Sequence, residues 1–571
     1  MKYFFRISTM FAFLCFFLLA SIPATACDLT ELETEIVFTN SSLKTLQVSF
    51  SGDAQISQQT TEVPPLTTRT LTSVKRIKGT ETNLTILLGT EDFQLDLTMQ
   101  TSNTSLSFGA ATDDLEIPVQ TSSDIQRYAT ELSGKAYTLA FNGSGLNKGG
   151  RLTYVLHKND IKPEPGGANI FNVLSYNVWA TTIYGSKKVD TRLDEMPAVM
   201  AGYDALVLTE VFDLAPSKEL LAKLRSEYPY QSGEIFKAGK LMESGTRILS
   251  RWPFETEGSH IYDACDGIQC AATRGVIYTR INKMGKTYHL FATHTQSSDD
   301  DVNRAARLAQ LDEMGDYIRS LNIPGDEPVI MAGDFNVNKI DLPEDRDYME
   351  ITLNGFEPEN TGHNYSFDSD TNSWAEKPYM EYLDYTLVGL GNQQPTEASQ
   401  EIFAPRSLID DLWGDWDLSD HYAAKGMFIF PYEDIQDPEL PYFGYVVHLE
   451  TANGHFVRAM SGGGSFISAG SDQIGTWESF RFVELDNGKV AILARDGNYV
   501  GLDSYLFGTL KANNRSVGAG EQFEIVDLGN NRIAIKADNG RYFRADFGGG
   551  AGLSAASWSI GNKQTFQLIR P

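Results

Sequence analysis

Asp334 and Asn336 end an apolar run in the segment MAGDFNVNK, which covers residues 331 to 339. On extended backbone, side chains two residues apart point to the same side of the strand. A carboxylate and an amide in that arrangement suit a cation and a phosphate oxygen. The polar end of this predicted strand is therefore a candidate site for phosphate chemistry.

Five other apolar segments between residues 170 and 430 also end near a group that can bind metal or phosphate. In chain order these groups are Asn177, Glu210, His294, Asp384 and the adjacent pair Asp420 and His421. Each has an ordinary alternative, since Asn and Asp often cap helices or form turns, and a lone histidine is more often a hydrogen-bonded core residue. Burying such groups singly is costly, so convergence on one site explains the whole set more economically.

The elements that must position these groups follow from the pattern of residues 170 to 430. Apolar stretches such as IFNVLSYNVW and PVIMAGDFNV alternate with helical patterns such as NRAARLAQLDEMGDYIRSL. This alternation predicts an α/β domain with a heavily buried sheet.

The run SSDDD, residues 297 to 301, precedes one of these helical patterns. Asp299 to Asp301 could hold a second cation. Acidic residues at a helix start are favourable without any metal, and we favour that interpretation.

Several longer motifs carry a resemblance to a known family. They are LSYNVW, EVFDLAPSKELLAKLRSEYPYQSG, TRILSRWPF, ATHTQS, GDFNVNKI, TGHNYSFDSDTNSWAE with YLDYTLV, and LSDHY. Residues 170 to 430 thereby resemble the endonuclease/exonuclease/phosphatase superfamily, and more closely its bacterial neutral sphingomyelinase C branch. The resemblance implies a deoxyribonuclease-I-like four-layer α/β sandwich, a divalent metal and hydrolysis of a phosphodiester.

The resemblance also implies a metal site and a general base. Glu210, assisted by Asn177, would hold Mg²⁺ or another divalent cation such as Mn²⁺ or Co²⁺, which prefers oxygen ligands. His421 would accept a proton from the attacking water, and Asp384 would fix the tautomer of His421.

The remaining polar groups would act on the phosphate, again by resemblance. Asn336 and His294 would hold phosphate oxygens as negative charge develops. Asp334 would orient or protonate groups around the phosphorus, and Asp420 would complete the cluster.

Three functions are compatible with these residues. The leading one is peripheral action on membrane sphingomyelin, cut to ceramide and phosphocholine. The second keeps the fold but takes a nucleic acid or an inositol phosphate as substrate. The third is a surface-binding adhesin with a degenerate middle domain.

Charge bears on the choice of substrate. The chain has 75 acidic and 47 basic residues, a formal net charge of −28. Such a surface repels a polyphosphate backbone unless basic patches or metal ions intervene, and Arg247, Arg251 and Arg274 are scattered in the sequence. We therefore expect no nucleic-acid partner, although general solubility also explains the charge.

The resemblance further implies a long aromatic hairpin just before Ser-Asp-His for entering a membrane surface. This chain has only SLIDDLWGDWDLSDH at that place. Leu412, Trp413 and Trp416 could form a shorter apolar tip, because indoles favour the membrane interface. The alternative is that the tryptophans pack into the core.

The N-terminal part of the chain predicts export. Residues 1–26 combine basic residues, an apolar run and small residues for cleavage, as in a secretory signal. We expect a secreted monomer; anchoring as a lipoprotein through Cys27 is less favoured. In an oxidising compartment Cys265 and Cys270 would form a disulfide, while zinc binding or free thiols are the alternatives.

Two β-rich regions flank the α/β region. Residues 28–157 alternate as in an antiparallel β-sandwich, and a Pro/Gly-rich linker follows at 158–169. A second linker covers 430–444. In residues 444–571 three β-rich units repeat every 43 residues, at Gly454, Gly497 and Gly540 and at Phe480, Phe523 and Phe566. This period predicts a closed threefold fold resembling a fascin-like β-trefoil, with a glycan or another surface ligand as its candidate partner.

Overall fold

The computed structural model describes residues 31–569 except 78, 103–104, 113–114, 121–123, 160–161, 164–165, 182–184, 213, 432–445, 461–462, 486, 495–497, 505–507 and 515–516. The expected signal peptide (1–26), Cys27 and nearly all of the second linker lie outside the described residues. Within the described residues, none of the helices combines the length and the apolar character needed to cross a bilayer.

The first part of the chain forms two β-sheets. Their strand orders are β4-β1-β11-β10-β9 and β3-β2-β5-β6-β7-β8. The strands are β1 Glu31–Ser41, β2 Leu46–Gly52, β3 Glu62–Val63, β4 Thr68–Ile77, β5 Glu81–Gly89, β6 Gln94–Ser102, β7 Ser105–Ala111, β8 Glu116–Gln120, β9 Gln126–Leu132, β10 Lys135–Ser144 and β11 Arg151–Lys158.

Both sheets contribute to one apolar core, which includes Phe38 and Phe141 from the first sheet and Leu88 from the second. Alternation of apolar and polar residues along each strand directs one face of each sheet inward. One pairing differs from the expected antiparallel pattern, because β1 and β11 run parallel, with Phe38 opposite Tyr154. These strands are far apart in sequence, so the alternation could not reveal their relative direction.

The middle part of the chain alternates strands and helices. Its elements are β12 Ile170–Ala180, α1 Val189–Met200, β13 Ala205–Val211, α2 Ala215–Leu224, β14 Tyr230–Gln231, β15 Arg247–Ser250, β16 Phe254–Ile261, β17 Gly275–Lys283, β18 Lys286–His294, α3 Asp301–Ser320, β19 Val329–Asp334, α4 Pro343–Leu353, β20 Gly355–Phe356, β21 Phe367–Asp368, β22 Met380–Glu381, β23 Asp384–Gly389, β24 Glu397–Phe403 and β25 Ala423–Ile429.

Two six-stranded sheets dominate this middle region, with the orders β14-β15-β13-β12-β25-β24 and β16-β17-β18-β19-β23-β20. Neighbouring residues of one strand serve different layers: Val173 lies in the core between the sheets, whereas Leu174 packs with α1 and α2. In the second sheet Ile330 faces the first sheet and Met331 packs with α3 and α4. The layers are therefore helix, sheet, sheet, helix, which confirms the predicted four-layer sandwich.

The last part of the chain forms a β-barrel. Its strands are β26 Val446–Glu450, β27 Phe456–Ala459, β28 Ile467–Ser471, β29 Phe480–Glu484, β30 Val490–Ala494, β31 Tyr499–Ser504, β32 Thr509–Asn514, β33 Glu524–Asp527, β34 Arg532–Lys536, β35 Tyr542–Ala545, β36 Ala551–Ser557 and β37 Phe566–Ile569. The ring closes because β26 pairs with β27 as well as with β29 and β37.

The strand pairing of the barrel repeats with the sequence period of 43 residues. The repeated phenylalanines occupy equivalent pairs, which are Val447 with Phe480, Val490 with Phe523 and Ile533 with Phe566. All three phenylalanines belong to one apolar core. Each repeat thus contributes one equivalent aromatic side chain to a shared interior.

Candidate active site

Three candidate residues lie in one row across the second sheet of the middle region. The parallel pairing of β18 with β19 sets His294 opposite Asp334, and the antiparallel pairing of β19 with β23 sets Asp334 opposite Asp384. Pairing of neighbouring strands holds such residues side by side. The row lies at the ends of the strands, where their apolar runs stop.

Three more candidates approach from the first sheet. Asn177 is on β12 and Glu210 on β13, and these two strands run parallel with Asn177 opposite Thr209. His421 precedes β25, which pairs with β12. The two sheets therefore contribute separate halves of one site, as the hypothesis of convergence required.

Asn177 connects the carboxylates of both sheets. Its Nδ2 donates to Glu210 Oε1 at 3.2 Å and to Asp334 Oδ2 at 3.1 Å. Its Oδ1 accepts from the backbone N–H of Trp179 at 3.0 Å. In this orientation Asn177 aligns the two carboxylates, and its contact with a cation stays a prediction.

His421 and Asp384 form a buried hydrogen-bonded pair, with 2.8 Å between His421 Nδ1 and Asp384 Oδ2. His421 Nε2 lies 3.9 Å from Asp334 Oδ2. Burial by itself would lower the pKa of His421, but the carboxylates of Asp384 and Asp334 raise it well above its usual value. The geometry leaves Nε2 as the ring nitrogen available for proton transfer.

His294 has a different electrostatic environment. Burial, Arg274 and His421 hold its pKa well below the usual value, so the ring is neutral. Its Nε2 lies 3.6 Å from Asp334 Oδ2, and its buried Nδ1 makes no hydrogen bond. A neutral imidazole with a free ring nitrogen is able to bind a substrate oxygen.

Asn336 and Asp420 complete the cluster. The backbone N–H of Asn336 donates to Asp334 Oδ1 at 3.0 Å, and its side-chain amide donates to Thr295 O at 3.2 Å. Ser419 Oγ donates to Asp420 Oδ1 at 3.2 Å and to the backbone oxygen of Asn177 at 2.7 Å. These contacts tie both loops to the strand ends.

Two residues of the site have strained backbone conformations. Glu210 and Asn336 have φ values of 57° and 50°, in the left-handed region that non-glycine residues seldom adopt. Such conformations cost free energy and persist where the surrounding contacts determine them. Here they direct both side chains into the same cavity.

The cluster lines a cavity of about 710 Å³. Its polar walls are formed by Glu210, His294, Asp334, Asn336, Asp420 and His421, and its aromatic walls by Trp179, Phe212, Phe367 and Trp374. Asn177 and Asp384 lie behind the polar wall, fully buried. The cavity therefore combines anionic and apolar surfaces.

The donor set fits a divalent cation. Burial raises the pKa of Glu210, that of Asp334 to about 6 and that of Asp420 to about 7, so these acids hold excess negative charge poorly. Asp384 Oδ1 is buried without a hydrogen-bond partner. A hard cation prefers carboxylate oxygens and would offset their charge. Ligand atoms of Asp334, Asp384 and His421 also lie within 4.8 Å of one another.

Sequence reasoning missed some residues that shape the site. Arg274, which the sequence analysis treated as one of three scattered arginines, donates to the backbone oxygen of His294 at 3.1 Å. Ser366 Oγ accepts from the backbone N–H of Asp384 at 3.0 Å. Neither has a distinctive sequence signal, because its role depends on a strand that is distant in sequence.

Two local predictions are confirmed. Cys265 and Cys270 form a disulfide. Asp300 is the N-cap of α3, where its side chain accepts from the backbone N–H groups of Val302 and Asn303, so the acidic run serves the helix start. Asp299 Oδ1 pairs with Arg307 at 2.7 Å.

The predicted apolar tip is wrong. Leu412 is fully buried among residues that pack against α1 and α2. Trp416 is 5% exposed and packs with Ala140 and Val155 of the N-terminal sheet, and Trp413 packs on the same cluster. Burial against the N-terminal region is more favourable than exposure, so Leu412 and Trp416 are withdrawn from the surface, while Trp413 is half-buried beside Trp416.

The chain is similar to known proteins in two regions. The model of the endonuclease/exonuclease/phosphatase family matches residues 174–421, and a domain of unknown function, DUF7910, matches residues 443–570. The second match assigns no fold, so the fascin-like β-trefoil stays a prediction.

Curated relatives match the middle region. Sphingomyelinase C 2 of Leptospira interrogans is 31% identical over 339 residues, 53% of this chain and 53% of that protein, so the chain spans about half of that relative. Sphingomyelinase C of Listeria ivanovii is 31% identical over 288 residues, 45% of this chain and 85% of that protein.

A solved structure of Staphylococcus aureus beta toxin, a mutant with bound magnesium ions, is 28% identical with a TM-score of 0.42 and covers 45% of this chain and 98% of its own. Through its middle region this chain belongs to the endonuclease/exonuclease/phosphatase family and is homologous there to bacterial sphingomyelinase C.

Proposed function

We propose that the protein is a Mg²⁺-dependent phosphodiesterase that hydrolyses sphingomyelin to ceramide and phosphocholine. The observation that carries this proposal is the convergence of the His421–Asp384 pair, Asp334 and Glu210 on one cavity. Relatives named sphingomyelinase C, about 30% identical to this chain, support the choice of substrate.

The His421–Asp384 pair provides the base. Asp384 accepts the Nδ1–H of His421 and directs Nε2 at the cavity. The carboxylates that raise the pKa of His421 are the groups whose charge a bound cation would offset, which would free the Nε2 lone pair. Nε2 takes the proton of the attacking water as the water oxygen bonds to phosphorus, and the bond from phosphorus to the ceramide oxygen breaks. Asp334, with its pKa raised to about 6, lies within 4 Å of both histidines, where it is placed to take up a proton and pass it to the departing oxygen.

Neutral polar side chains and a bound cation would stabilise the negative charge that develops on the phosphate. The imidazole of His294 and the side chain of Asn336, which line the cavity, supply polar contacts there. When bound, Mg²⁺, or Mn²⁺ or Co²⁺ in its place, supplies positive charge that offsets the carboxylates and stabilises the phosphate oxygens and the departing alkoxide. Glu210 and Asp420, which face the cavity, would hold the cation.

The aromatic walls favour a choline headgroup. Trp179 and Trp374 lie with their ring centroids 6.3 Å apart at the cavity. Quaternary ammonium groups bind to aromatic faces through cation–π attraction. The ammonium group of phosphocholine would thus contact the aromatic wall of the cavity, and its phosphate would contact the polar wall.

Of the three arginines considered in the sequence, Arg274 lines the cavity, whereas Arg247 and Arg251 are paired with acids. Arg247 pairs with Glu234 at 2.7 Å, and Arg251 pairs with Glu227. Both guanidinium groups are thus already matched with acids, and the chain as a whole is strongly negative. This favours a zwitterionic lipid over nucleic acid or an inositol phosphate.

Parallel assays test the proposal. The full-length protein is incubated with vesicles of sphingomyelin or phosphatidylcholine, with plasmid DNA and with inositol phosphates, each with and without chelator. We expect release of phosphocholine from sphingomyelin that stops with chelator and returns with Mg²⁺. Cleavage of DNA or inositol phosphates, but not of sphingomyelin, would contradict the proposed substrate. Hydrolysis that continues in the presence of chelator would contradict the proposed dependence on a divalent cation.

We also propose export and a ligand-binding role for the C-terminal barrel. The Cys265–Cys270 disulfide supports an oxidising compartment. The threefold strand pairing of residues 446–569 supports a β-trefoil, whose candidate ligand is a glycan or another surface group. Fractionation of expressing cells tests export, and a glycan array with the full chain tests the ligand.

A further inference from the structure

Exposed apolar side chains lie at the mouth of the catalytic cavity. Leu241 is 84% exposed and Ile268 is 75% exposed. Ile268 and Met242 line the cavity itself. We call Leu241, Met242 and Ile268 the apolar rim. Exposed apolar groups next to a site commonly mark a surface that another molecule covers.

The apolar rim is held in place by contacts between its two loops. The backbone N–H of Leu241 donates to Ala271 O at 2.7 Å, and Met242 forms a β-bridge with Ala272. Ile268 belongs to the loop closed by the Cys265–Cys270 disulfide. Lys240 Nζ, in the other loop, donates to Cys270 O at 2.7 Å. The two exposed side chains are therefore presented by a cross-linked platform.

Charges of both signs surround the apolar rim. Lys237 pairs with Asp263 at 2.7 Å, where the Lys237 side chain is partly exposed and the Asp263 side chain largely exposed. Lys240 and Asp266 lie on the same two loops. A surface of mixed sign matches a headgroup layer that carries phosphate and ammonium together, and it disfavours a layer of one sign.

We propose that the apolar rim inserts into the interface of a bilayer with zwitterionic headgroups and holds the cavity over the substrate phosphate. The proposal rests on the proposed function, because it assigns the cavity a lipid substrate. The position of the rim at the cavity mouth places apolar contact and hydrolysis on one face of the protein. Amphipathic surfaces bind membranes in proportion to the apolar area they bury.

The test uses a double variant, Leu241→Ser with Ile268→Ser. The matched control is Ile351→Ser, since Ile351 on α4 is 80% exposed and does not line the cavity. Binding is measured by sedimentation with vesicles of sphingomyelin, phosphatidylcholine and cholesterol, with chelator present to stop turnover. Turnover is measured on the same vesicles and on water-soluble 4-nitrophenyl phosphocholine.

We expect the double variant to lose about tenfold or more in vesicle binding and vesicle hydrolysis, because two aliphatic side chains that would be buried in the bilayer interface are replaced by polar ones. Turnover of the soluble ester by the double variant should fall far less than vesicle hydrolysis does. The single variant Leu241→Ser, which does not line the cavity, should lose vesicle binding and keep soluble turnover within about twofold of the unchanged protein. Ile351→Ser should behave as the unchanged protein in every assay.

Three results would overturn the proposal that the rim inserts into the bilayer. They are unchanged vesicle binding by the double variant, a loss of vesicle binding by Ile351→Ser equal to that of the double variant, or a loss of soluble turnover as large as the loss of vesicle hydrolysis. If the protein binds vesicles through the rim but hydrolyses neither substrate, the proposed function is refuted and the proposed membrane contact is retained.

Discussion

At the level of single residues, the buried carboxylates of the site favour the protonated form of His421 but not that of His294. His421 faces Asp384 through Nδ1 and Asp334 through Nε2. His294, beside the same Asp334, stays neutral because burial and Arg274 oppose its protonation. Two histidines within reach of one carboxylate thus have opposite charge preferences, which suits one for proton transfer and the other for binding.

Replacing His421 with alanine should lower kcat on sphingomyelin by about 10² to 10⁴, the contribution of a positioned general base. The fold should persist, because His421 lies at a cavity wall. Steady-state kinetics and circular dichroism measure the two effects. His455→Ala, in the C-terminal barrel, is the control and should keep full activity. Near-normal turnover of His421→Ala would remove the assigned base.

Metal affinity should fall as the pH falls. Protons and a cation compete for the same carboxylates, whose pKa values are raised to about 6 for Asp334 and about 7 for Asp420. At about pH 8 both are ionised and open to the cation, and at about pH 5 both hold protons. Calorimetric titration with Mg²⁺ should show weaker binding at the lower pH, and Glu210→Gln should lose most binding at either pH. Affinity independent of pH would contradict this arrangement.

At the scale of elements, the row His294, Asp334 and Asp384 depends on how closely β18, β19 and β23 approach. Gly333, beside Asp334, has φ of 149°, and a Cβ there would lie 2.0 Å from Thr293 O on β18. Only glycine permits this approach and this backbone conformation. The strand pair is therefore built around the absence of a side chain.

Gly333→Ala should lower the free energy of unfolding by about 1 to 3 kcal/mol and reduce turnover, because β18 and β19 must separate and shift His294 against Asp334. Urea unfolding and kinetics measure the two effects. Gly325→Ala is the matched control, since its nearest neighbour beyond the adjacent residues is 3.8 Å from the added atom. Equal behaviour of the two variants would refute the role of the close approach.

At the scale of the whole molecule, buried side chains join the catalytic region to both flanking regions. Arg406 donates to Ser41 Oγ at 2.7 Å and to Leu66 O at 3.1 Å in the N-terminal region. On the other side, Arg481 of the barrel donates to Pro163 O at 2.6 Å and approaches Glu227 at 3.4 Å, which also pairs with Arg251. Glu227 thus balances two buried arginines.

Glu227→Ala should destabilise the contact between the barrel and the catalytic region by about 3 to 5 kcal/mol, because it leaves two buried guanidinium groups without their acid. Differential scanning calorimetry should show an earlier or separate transition of the barrel. Glu524→Ala, which breaks an exposed 3.0 Å pair with Lys536 on the barrel, should cost less than about 1 kcal/mol. Similar melting of both variants would contradict the role of Glu227.

Local patterns sufficed for much of the catalytic region. Alternating strands and helices predicted the four layers. The polar strand ends predicted which residues meet, because the two stacked sheets place these ends on the same side of the domain. The N-cap at Asp300 and the disulfide of Cys265 and Cys270 also involve residues close in sequence. The 43-residue period anticipated the equivalent strand pairs of the barrel.

Other features depended on partners that are distant in sequence. In the sequence, Leu412 and Trp416 resemble an apolar tip for a membrane interface. In the folded chain, α1, α2 and the N-terminal strands cover them. The parallel pairing of β1 with β11 and the orientation of Asn177 toward two carboxylates likewise need the folded chain.

Residue type and local periodicity were enough to predict the chemical groups of this protein and their order along strands and helices. Which apolar side chains stay exposed could be read only from the folded chain, since exposure depends on what packs against them. That is why Leu241 and Ile268, which no sequence pattern singled out, are exposed beside the cavity, while Trp416, expected at a membrane-facing tip, is buried.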